Sequence, residues 1–465
     1  MTTENFVALL TKCPLIASVQ APPGAPLDHP DTIRRFAQSS TQEGVGVLRV
    51  QGVSDIEACH TLGVPIVGLI KRDCEGSEVR ITPTAREVSE LLASPVEVIA
   101  LDATTRPRPG GNQLPDLIRQ IHQGGRLAWA DCDGVESAQF ALESGADLLS
   151  TTLCGYTSNS QASEPDLDAL QQMVNLGSAP VIAEGRFQEA WQVRSALQIG
   201  AVGVVIGGAL NDPLKQTARF VKAATTPKRV LGFDIGGTWL RCGRFENWRL
   251  VESERIPLPA DPAVRHKWMR DRAGSDVERI GISSGGTIDP LSRTVTEAKP
   301  IIPHHVGMVL RFGPKPTYAL NDGLATAYGH SCLPQCAGRR TATLALGTGV
   351  GFGLVDRGSP WMGPHGEYPR LNDVDLGGRT FEDLLGGASL SPSGQEPSED
   401  AKRDACVAAH QAVDLIRGLF MPDEIILAGA VGLAAWLDFD LPRSPFGANA
   451  GLYGAAALAI WPPFD

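Results

Sequence analysis

The stretch "VLGFDIGGTWLR", residues 230–241, decides how the chain is divided. It predicts a strand, a glycine turn with Asp234 in front of it, and a second strand. Turns of this kind let the backbone approach phosphate oxygens closely and usually open a nucleotide-binding domain. Because nearly half of the chain precedes it, we predict two domains, 1–225 and 229–465, joined by a short polar link.

The first domain repeats one pattern, in which a short apolar run is followed by an amphipathic helical stretch such as "LPDLIRQIHQ". The runs are "LIASV", "GVLRV", "PIVGLI", "VEVIAL", "RLAWA", "DLLST", "PVIAE" and "VGVVIG". Fully apolar runs of this length indicate parallel strands covered by helices. Eight such units predict a TIM (β/α)₈ barrel, with an open doubly wound sheet as the alternative.

Composition excludes several classes of function. The chain of 465 residues has a formal charge of -11, which argues against a nucleic-acid or membrane-surface partner. Its nine cysteines have no metal-ligand spacing, and no run is long and apolar enough for a membrane helix. We therefore expect a cytoplasmic enzyme with reduced thiols.

The residues at the carboxyl ends of the barrel runs are candidates for the active site, because barrel active sites lie there. They include Gln20, Arg49, Lys71, Asp131, Glu184, Arg186, Gly207 and Gly208. A lysine at a barrel mouth acts as a base when burial and cationic neighbours lower its pKa. Backbone N–H groups after the last two strands bind phosphate. The pattern predicts proton transfer on a phosphorylated carbonyl compound, with a Schiff base on Lys71 as the competing chemistry.

The ordered motifs "LIKRD", "ITPT", "STTLCGYT", "PVIAEGR" and "GVVIGGA" resemble the N-acetylmannosamine-6-phosphate 2-epimerases over residues 10–222. The resemblance implies Lys71 as acid/base, Glu184 as a substrate contact that supports catalysis, and Gln20, Arg49 and Asp131 as further substrate contacts. Asp212 stands where that family carries an arginine near the phosphate. Either another cation, with Arg186 as the candidate, takes over, or phosphate binding is weakened. Whether one base or two complete the epimerisation stays open.

The second domain contains two further glycine turns, "GTGVG" at 347–351 and "LAGAVGL" at 427–433. In the first turn, Thr238 can donate a hydrogen bond to phosphate and Asp234 can hold Mg²⁺ directly or through water. Between the turns lies "ALNDGLATAYG", in which Asp322 is suited to accept the proton of an attacking sugar hydroxyl. The alternative for Asn321 and Asp322 is a helix N-cap, a role that they can fill as well.

These turns, with "HGEY", "RTFED" and "GLYGAAALA", resemble the ROK-family sugar kinases, which have a two-lobed actin-like ATPase fold and use ATP with Mg²⁺. The resemblance implies Asp322 as base, and Asn321, Glu367 and Glu382 as sugar contacts. It also implies a set of residues lining the nucleotide: Asp234, Gly236, Gly237, Thr238, Gly347, Thr348, Gly349 and Gly429.

The second domain departs from that family at its zinc site. Arg370 replaces a histidine, and "DLGGRTFE" replaces the cysteine-rich loop. We therefore expect no structural zinc and no protein metal cluster, and a sugar pocket that is either braced in another way or weakened.

The two resemblances fit together, because the product of an N-acetylmannosamine kinase is the substrate of the epimerase. We predict a bifunctional enzyme of sialic-acid breakdown that acts on small amino sugars and sugar phosphates, without nucleic-acid or membrane partners, and self-associates. The alternative is an active epimerase fused to a kinase-like module that does not turn over or that prefers another hexosamine. A ROK-type repressor is disfavoured, because no helix-turn-helix precedes residue 234.

Overall fold

The computed structural model describes residues 1–158, 160–161, 164–274, 276–298, 301–392 and 395–464. The chain divides into two compact units, Met1–Val221 and Lys222–Asp465.

The first unit is a closed barrel of parallel strands in the order β1-β10-β9-β6-β5-β4-β3-β2, with a small β7-β8 hairpin beside it. Its strands are β1 Leu15–Val19, β2 Val47–Gln51, β3 Ile66–Leu69, β4 Val98–Asp102, β5 Leu127–Asp131, β6 Leu148–Ser150, β7 Tyr156–Thr157, β8 Ser160–Gln161, β9 Val181–Glu184 and β10 Gly203–Ile206. Each predicted run supplies one barrel strand, so the predicted TIM barrel is confirmed and the open sheet is excluded.

The helices of the first unit alternate with these strands. They are α1 Thr3–Leu10, α2 Pro30–Gln42, α3 Val53–His60, α4 Ala85–Leu92, α5 Leu114–Gln123, α6 Val135–Glu143, α7 Leu167–Asn175, α8 Ala190–Ile199, α9 Gly208–Asn211 and α10 Pro213–Ala224. Burial on both faces explains the continuous apolar runs, since each strand faces helices outside and the filled interior inside. Phe6 and Leu10 of α1 join the interior cluster, in which Phe6 meets the edge of Trp129.

The second unit contains two main sheets, in the orders β13-β12-β11-β14-β17 and β20-β19-β18-β21. Its strands are β11 Arg229–Ile235, β12 Trp239–Glu246, β13 Arg249–Pro257, β14 Arg279–Ser284, β15 Thr287–Ile288, β16 Val295–Glu297, β17 Thr317–Asn321, β18 Arg340–Leu346, β19 Val350–Asp356, β20 Ser359–Pro360 and β21 Glu424–Ala428. Both sheets carry an antiparallel glycine-turn hairpin, β11–β12 in one and β18–β19 in the other. The predicted two-lobed kinase architecture is therefore confirmed.

The helices of the second unit are α11 Pro262–Arg272, α12 Asp322–Ser331, α13 Phe381–Leu385, α14 Gly387–Leu390, α15 Glu399–Phe420, α16 Gly429–Gly432 and α17 Ala450–Ile460. Helix α17, "AGLYGAAALAI", is apolar all round, which is typical of a fully buried helix. It packs closely on α12, where a Cβ on Gly454 would lie 2.3 Å from the carbonyl oxygen of Ala325. This packing fixes the start of α12, where Asp322 lies.

Candidate active sites

The barrel gathers a charged cluster at the carboxyl ends of β2, β5 and β9. Arg49, only 1% exposed, places Nη2 2.7 Å from Asp131 Oδ2 and Nε 3.3 Å from Glu184 Oε2. The Thr152 hydroxyl lies 2.7 Å from Asp131 Oδ1 and 2.9 Å from Glu184 Oε2. Burial, reinforced by the negative charge of Asp131, raises the pKa of the Glu184 carboxyl. Glu184 is therefore suited to carry or share a proton.

Lys71 follows β3 and reaches this cluster from the rim of the barrel. Its Nζ donates to Gln20 Oε1 at 2.7 Å, and Gln20 Nε2 donates to Ser18 Oγ at 2.9 Å, which fixes the amide. Lys71 is exposed at the barrel mouth, but partial desolvation of its ammonium there, and then the positive charge of Arg49, lower its pKa, while Glu184 and Asp131 oppose that change. A larger fraction of neutral amine is thus available as a base than for a lysine in water.

The predicted phosphate end of the barrel contains Gly207 and Gly208, at the start of α9. Asp212 does not stand there as an isolated carboxylate, because its Oδ2 lies 3.2 Å from Lys215 Nζ. A Cβ added to Gly208 would lie 3.9 Å from the same ammonium, so Lys215 brings a cation to this turn. Arg186 donates instead to the carbonyl oxygens of Cys154 and Gly155, at 3.1 and 2.6 Å, and lies over the ring of Tyr156.

Sequence reasoning did not single out two side chains of the barrel cluster. Trp129 Nε1 donates to Asp131 Oδ1 and to Ser150 Oγ, at 3.0 and 2.8 Å, and so fixes that carboxylate. Residues 129 and 131 are two apart on β5, hence on one face, and that periodicity would have identified Trp129. Ser150, on the neighbouring strand, gives no comparable signal.

The second unit has a cleft of about 660 Å³ between its two sheets. Eleven of the residues predicted for this half line the cleft: Asp234, Gly236, Gly237, Thr238, Asn321, Asp322, Gly347, Thr348, Gly349, Glu382 and Gly429. The structure therefore brings all three glycine turns and the proposed base to one place.

Asn321 and Asp322 divide two tasks at the start of α12. Asn321 is the N-cap, and its Oδ1 accepts the N–H groups of Gly323 and Leu324 at 2.9 and 3.3 Å. Its Nδ2 donates to Asp322 Oδ1 at 3.0 Å, which orients the carboxylate. Burial, together with the charge of Asp234, raises the pKa of Asp322 to about 6. The N-cap and base interpretations are thus compatible, because different residues carry them.

The glycine turns have the backbone geometry of a phosphate cradle. Gly429 has φ +80°, and a Cβ there would lie 2.3 Å from the carbonyl oxygen of Leu346, so only glycine fits. A Cβ on Gly347 would meet no atom within 4 Å, which leaves the space beside this turn open. These observations fit a nucleoside triphosphate whose phosphates lie along the turns.

The two glutamates predicted to contact sugar differ in position. Glu382 lines the cleft, where its Oε2 accepts the N–H of Val350 at 2.9 Å, against the turn at 347–351. Glu367 does not line the cleft, since its carboxylate accepts the N–H of His365 at 2.9 Å within its own loop. The same loop contributes Tyr368 and Arg370 to the cleft instead.

Arg370 forms an ion pair at the position where the resemblance implies a zinc-binding histidine. Its Nη1 donates to Glu297 Oε1 at 2.9 Å, its Nη2 donates to Glu297 Oε2, and both residues line the cleft. This pair joins the loop at 361–370 to β16, beside the cleft.

The donor sets fit Mg²⁺ but not zinc. Mg²⁺ is held by one or two carboxylates together with substrate phosphates, and Asp234 and Asp322 line one cleft with the glycine turns. A structural zinc needs four closed nitrogen or sulfur ligands, and residues 375–382 supply neither histidine nor cysteine. Within the described ranges, no three His, Cys, Asp or Glu side chains are grouped to hold a metal ion.

We predict that the purified protein contains no stoichiometric zinc, because the loop that would bind zinc lacks ligands. Elemental analysis after gel filtration tests this expectation. A chelator removed before assay should leave both activities intact once Mg²⁺ is restored. Stoichiometric zinc, or activity that returns only with zinc, would contradict the prediction.

Across the part of the chain that the structure describes, every helix is too short or too polar to cross a membrane.

The bifunctional enzyme NanE/NanK of Brucella suis biovar 1 is 30% identical to this chain, covering 96% of this chain and 94% of the Brucella protein. This chain belongs to the bifunctional NanE/NanK enzymes. A family model described as "Putative N-acetylmannosamine-6-phosphate epimerase", NanE, matches residues 33–226. The similarity to the Brucella NanE/NanK enzyme thus extends over both units of this chain.

Two solved structures cover one unit each. The N-acetylmannosamine-6-phosphate 2-epimerase of Clostridium perfringens is 41% identical, with TM-score 0.45 over 46% of this NanE/NanK chain and 95% of its own. The ROK hexokinase of Thermus thermophilus is 24% identical, with TM-score 0.41 over 50% of this chain and 97% of its own.

Proposed function

We propose that the chain is a bifunctional enzyme that phosphorylates N-acetylmannosamine at O6 and converts the product into N-acetylglucosamine 6-phosphate. The observation that carries the proposal is the presence, in one chain, of a lysine–glutamate proton-transfer cluster in a barrel and an aspartate base among three glycine turns. Membership of the NanE/NanK family supports the pairing.

In the barrel, Lys71 is the group suited to remove the C2 proton, since its pKa is lowered and Gln20 orients its Nζ. The carbon acid is activated by the neighbouring C1 carbonyl of the open-chain sugar, and the electron pair moves onto that oxygen. Return of a proton to the opposite face of C2 inverts the centre. Glu184 and Arg49 lie beside Lys71, where the Arg49 guanidinium stabilises the negative charge that develops on the sugar oxygen and Glu184 supplies or holds the second proton.

In the cleft, Asp322 accepts the proton of the sugar O6 hydroxyl as that oxygen attacks the γ-phosphorus of ATP. The bond from the γ-phosphorus to the bridging oxygen breaks, and ADP leaves with the electron pair. Asn321 orients the base, and the glycine turns hold the phosphates through backbone N–H groups. When bound, Mg²⁺ would neutralise phosphate charge, and Asp234, which lines the cleft beside the glycine turns, would hold it through water.

The rival function is a kinase-like second unit that does not turn over, and the position of Glu367 is the strongest observation in its favour. The position of this residue outside the cleft removes one expected sugar contact. The orientation of Asp322 favours turnover, because Asn321 Nδ2 holds its carboxylate in the cleft as a general base requires, which a binding-only module does not need.

The deciding experiment is ³¹P NMR of the protein with ATP, Mg²⁺ and N-acetylmannosamine in D₂O. N-acetylglucosamine 6-phosphate with deuterium at C2 is expected, because both reactions then occur in sequence through proton exchange. If no sugar phosphate forms while added N-acetylmannosamine 6-phosphate is still epimerised, the rival function is correct. Other hexosamines assayed alongside test the choice of sugar.

The kinase kcat/KM is expected to rise with pH through about 6 and then to level off, because kcat/KM reports the titration of the free enzyme. Burial favours the neutral acid of Asp322, so the active carboxylate is lost as pH falls and the rate drops about tenfold per unit below the pKa. A pH–rate profile with a coupled ADP assay checks this. Epimerisation, measured in the same buffers, should follow a different profile, and a kinase rate that stays flat well below this pKa would contradict the assignment.

We also propose that the enzyme works in the cytoplasm and self-associates. All nine cysteines, each of them among the described residues, are free thiols, which supports a reducing compartment. Fractionation of cells and analytical ultracentrifugation test these two points.

A further inference from the structure

The charges lining the cleft raise a question that the proposed mechanism leaves open. Four carboxylates line it, from Asp234, Glu297, Asp322 and Glu382, against two guanidinium groups, Arg241 and Arg370. Arg370 is already paired with Glu297. A bound triphosphate adds further negative charge. Whether Arg241 can contact that charge therefore matters for nucleotide binding and for phosphoryl transfer.

The hairpin places Arg241 beside the first glycine turn. In the antiparallel register of β11 and β12, Arg241 lies directly opposite Asp234, and its Nη1 is 2.7 Å from Asp234 Oδ2. On the other side, Ser283 pairs with Asp234 in the parallel register of β14, and its Oγ donates to Asp234 Oδ1 at 3.1 Å. Both oxygens of Asp234 are thus engaged by protein groups.

Helix α17 also confines the Asp234 side chain. A Cβ on Gly451 would lie 2.6 Å from the carboxylate, so a larger residue where α17 begins would displace Asp234 from this position. The Asp234 side chain is 8% exposed, whereas that of Arg241 is 26% exposed. A buried acid held at both oxygens is well placed to orient a partly exposed arginine.

We infer that Arg241 contacts the γ-phosphoryl group of the nucleotide and that Asp234 is its positioning residue. The inference rests on the proposed kinase function and deepens it. As the sugar O6 attacks and the bond to ADP breaks, negative charge lies on the three equatorial γ-oxygens. The Asp234 contact uses one of the five guanidinium N–H donors, and a fixed planar guanidinium is suited to binding such oxygens in pairs.

Arg241→Ala tests the inference, with Arg244→Ala as the matched control. Arg244 lies on the same strand but pairs with Asp276, and it is absent from the cleft lining. For Arg241→Ala, we expect kcat to fall by about 10²-fold or more, with little change in the KM for the sugar. Guanidinium ion added at millimolar concentration should restore part of the rate. Arg241→Lys should lie between the two, since it keeps the charge but not the planar donors.

Rescue by guanidinium and the double variant separate contact with phosphate from a structural role. Asp234→Ala should lower kcat in the same direction, and the double variant should be little worse than either single one. A structural role alone predicts no rescue by guanidinium.

Nucleotide binding gives a readout that does not depend on turnover. By calorimetry, Arg241→Ala should weaken ATP binding by about tenfold more than ADP binding, because only ATP carries the γ-phosphate. Equal losses for both nucleotides, or a variant that turns over like the parent, would overturn the inference. If the parent does not phosphorylate the sugar, the proposed function fails, but the difference between ATP and ADP still decides the role of Arg241.

Discussion

Lys71→Ala is expected to abolish epimerisation, with a loss of about 10³-fold or more in kcat, and to leave phosphorylation at the parent rate. Alanine removes the amine that takes the C2 proton, and it leaves Gln20 without the group that it orients. Nothing in the described cluster offers a second amine at this point, since the neighbouring cation is the guanidinium of Arg49. The measurement is deuterium exchange at C2 of N-acetylmannosamine 6-phosphate, alongside the kinase assay.

Lys12→Ala is the matched control, because Lys12 is exposed in the same unit and lies outside the cluster. It should keep both activities. Equal loss of both activities in Lys71→Ala would contradict separate sites. Treatment with borohydride in the presence of substrate distinguishes the competing chemistry: a reduced adduct on Lys71 would show a Schiff base, and its absence with full exchange would show a proton-transfer base.

The barrel was predictable in detail because its physics is local. A parallel strand that is buried on both faces must be apolar throughout, so runs such as "VEVIAL" indicate both the strand and its burial. The charged cluster was also predictable, since strand ends face one rim of a barrel. The pairing within the cluster was not, because whether Arg49 contacts Asp131, Glu184 or both depends on barrel radius and side-chain conformation.

In the second unit, the contact between Asp234 and Arg241 can be predicted from the sequence alone. Counting outward from the turn in "DIGGTWLR" places Asp234 opposite Arg241, and hairpin register alone predicts their proximity. The position of Glu367 could not be predicted from the sequence. Its carboxylate can either face the cleft or accept the N–H of His365, and the loop conformation decides between the two. Such choices depend on loop conformation, which a motif does not specify.

Asp322→Asn is the second substitution for which we expect a very large effect, a fall of about 10³-fold in the kinase kcat. The amide has nearly the shape of the carboxyl, and its oxygen can still accept the N–H of Gly323, as Asp322 Oδ1 does at 2.9 Å. The helix start should stay intact, because Asn321 is the residue that caps it. What the amide cannot do is accept a proton, so the loss belongs to the chemical step and not to binding.

This distinction sets the measurement. ATP and sugar affinities, from calorimetry, should stay near those of the parent while single-turnover phosphoryl transfer slows. Asp271→Asn is the control, since Asp271 is exposed on α11 and pairs with Lys267. Near-normal turnover in Asp322→Asn would remove Asp322 as the base. Because asparagine has no carboxyl to titrate, the variant should also lose the acid limb near pH 6 in whatever slow rate persists. A limb that survives unchanged would assign that titration to another group.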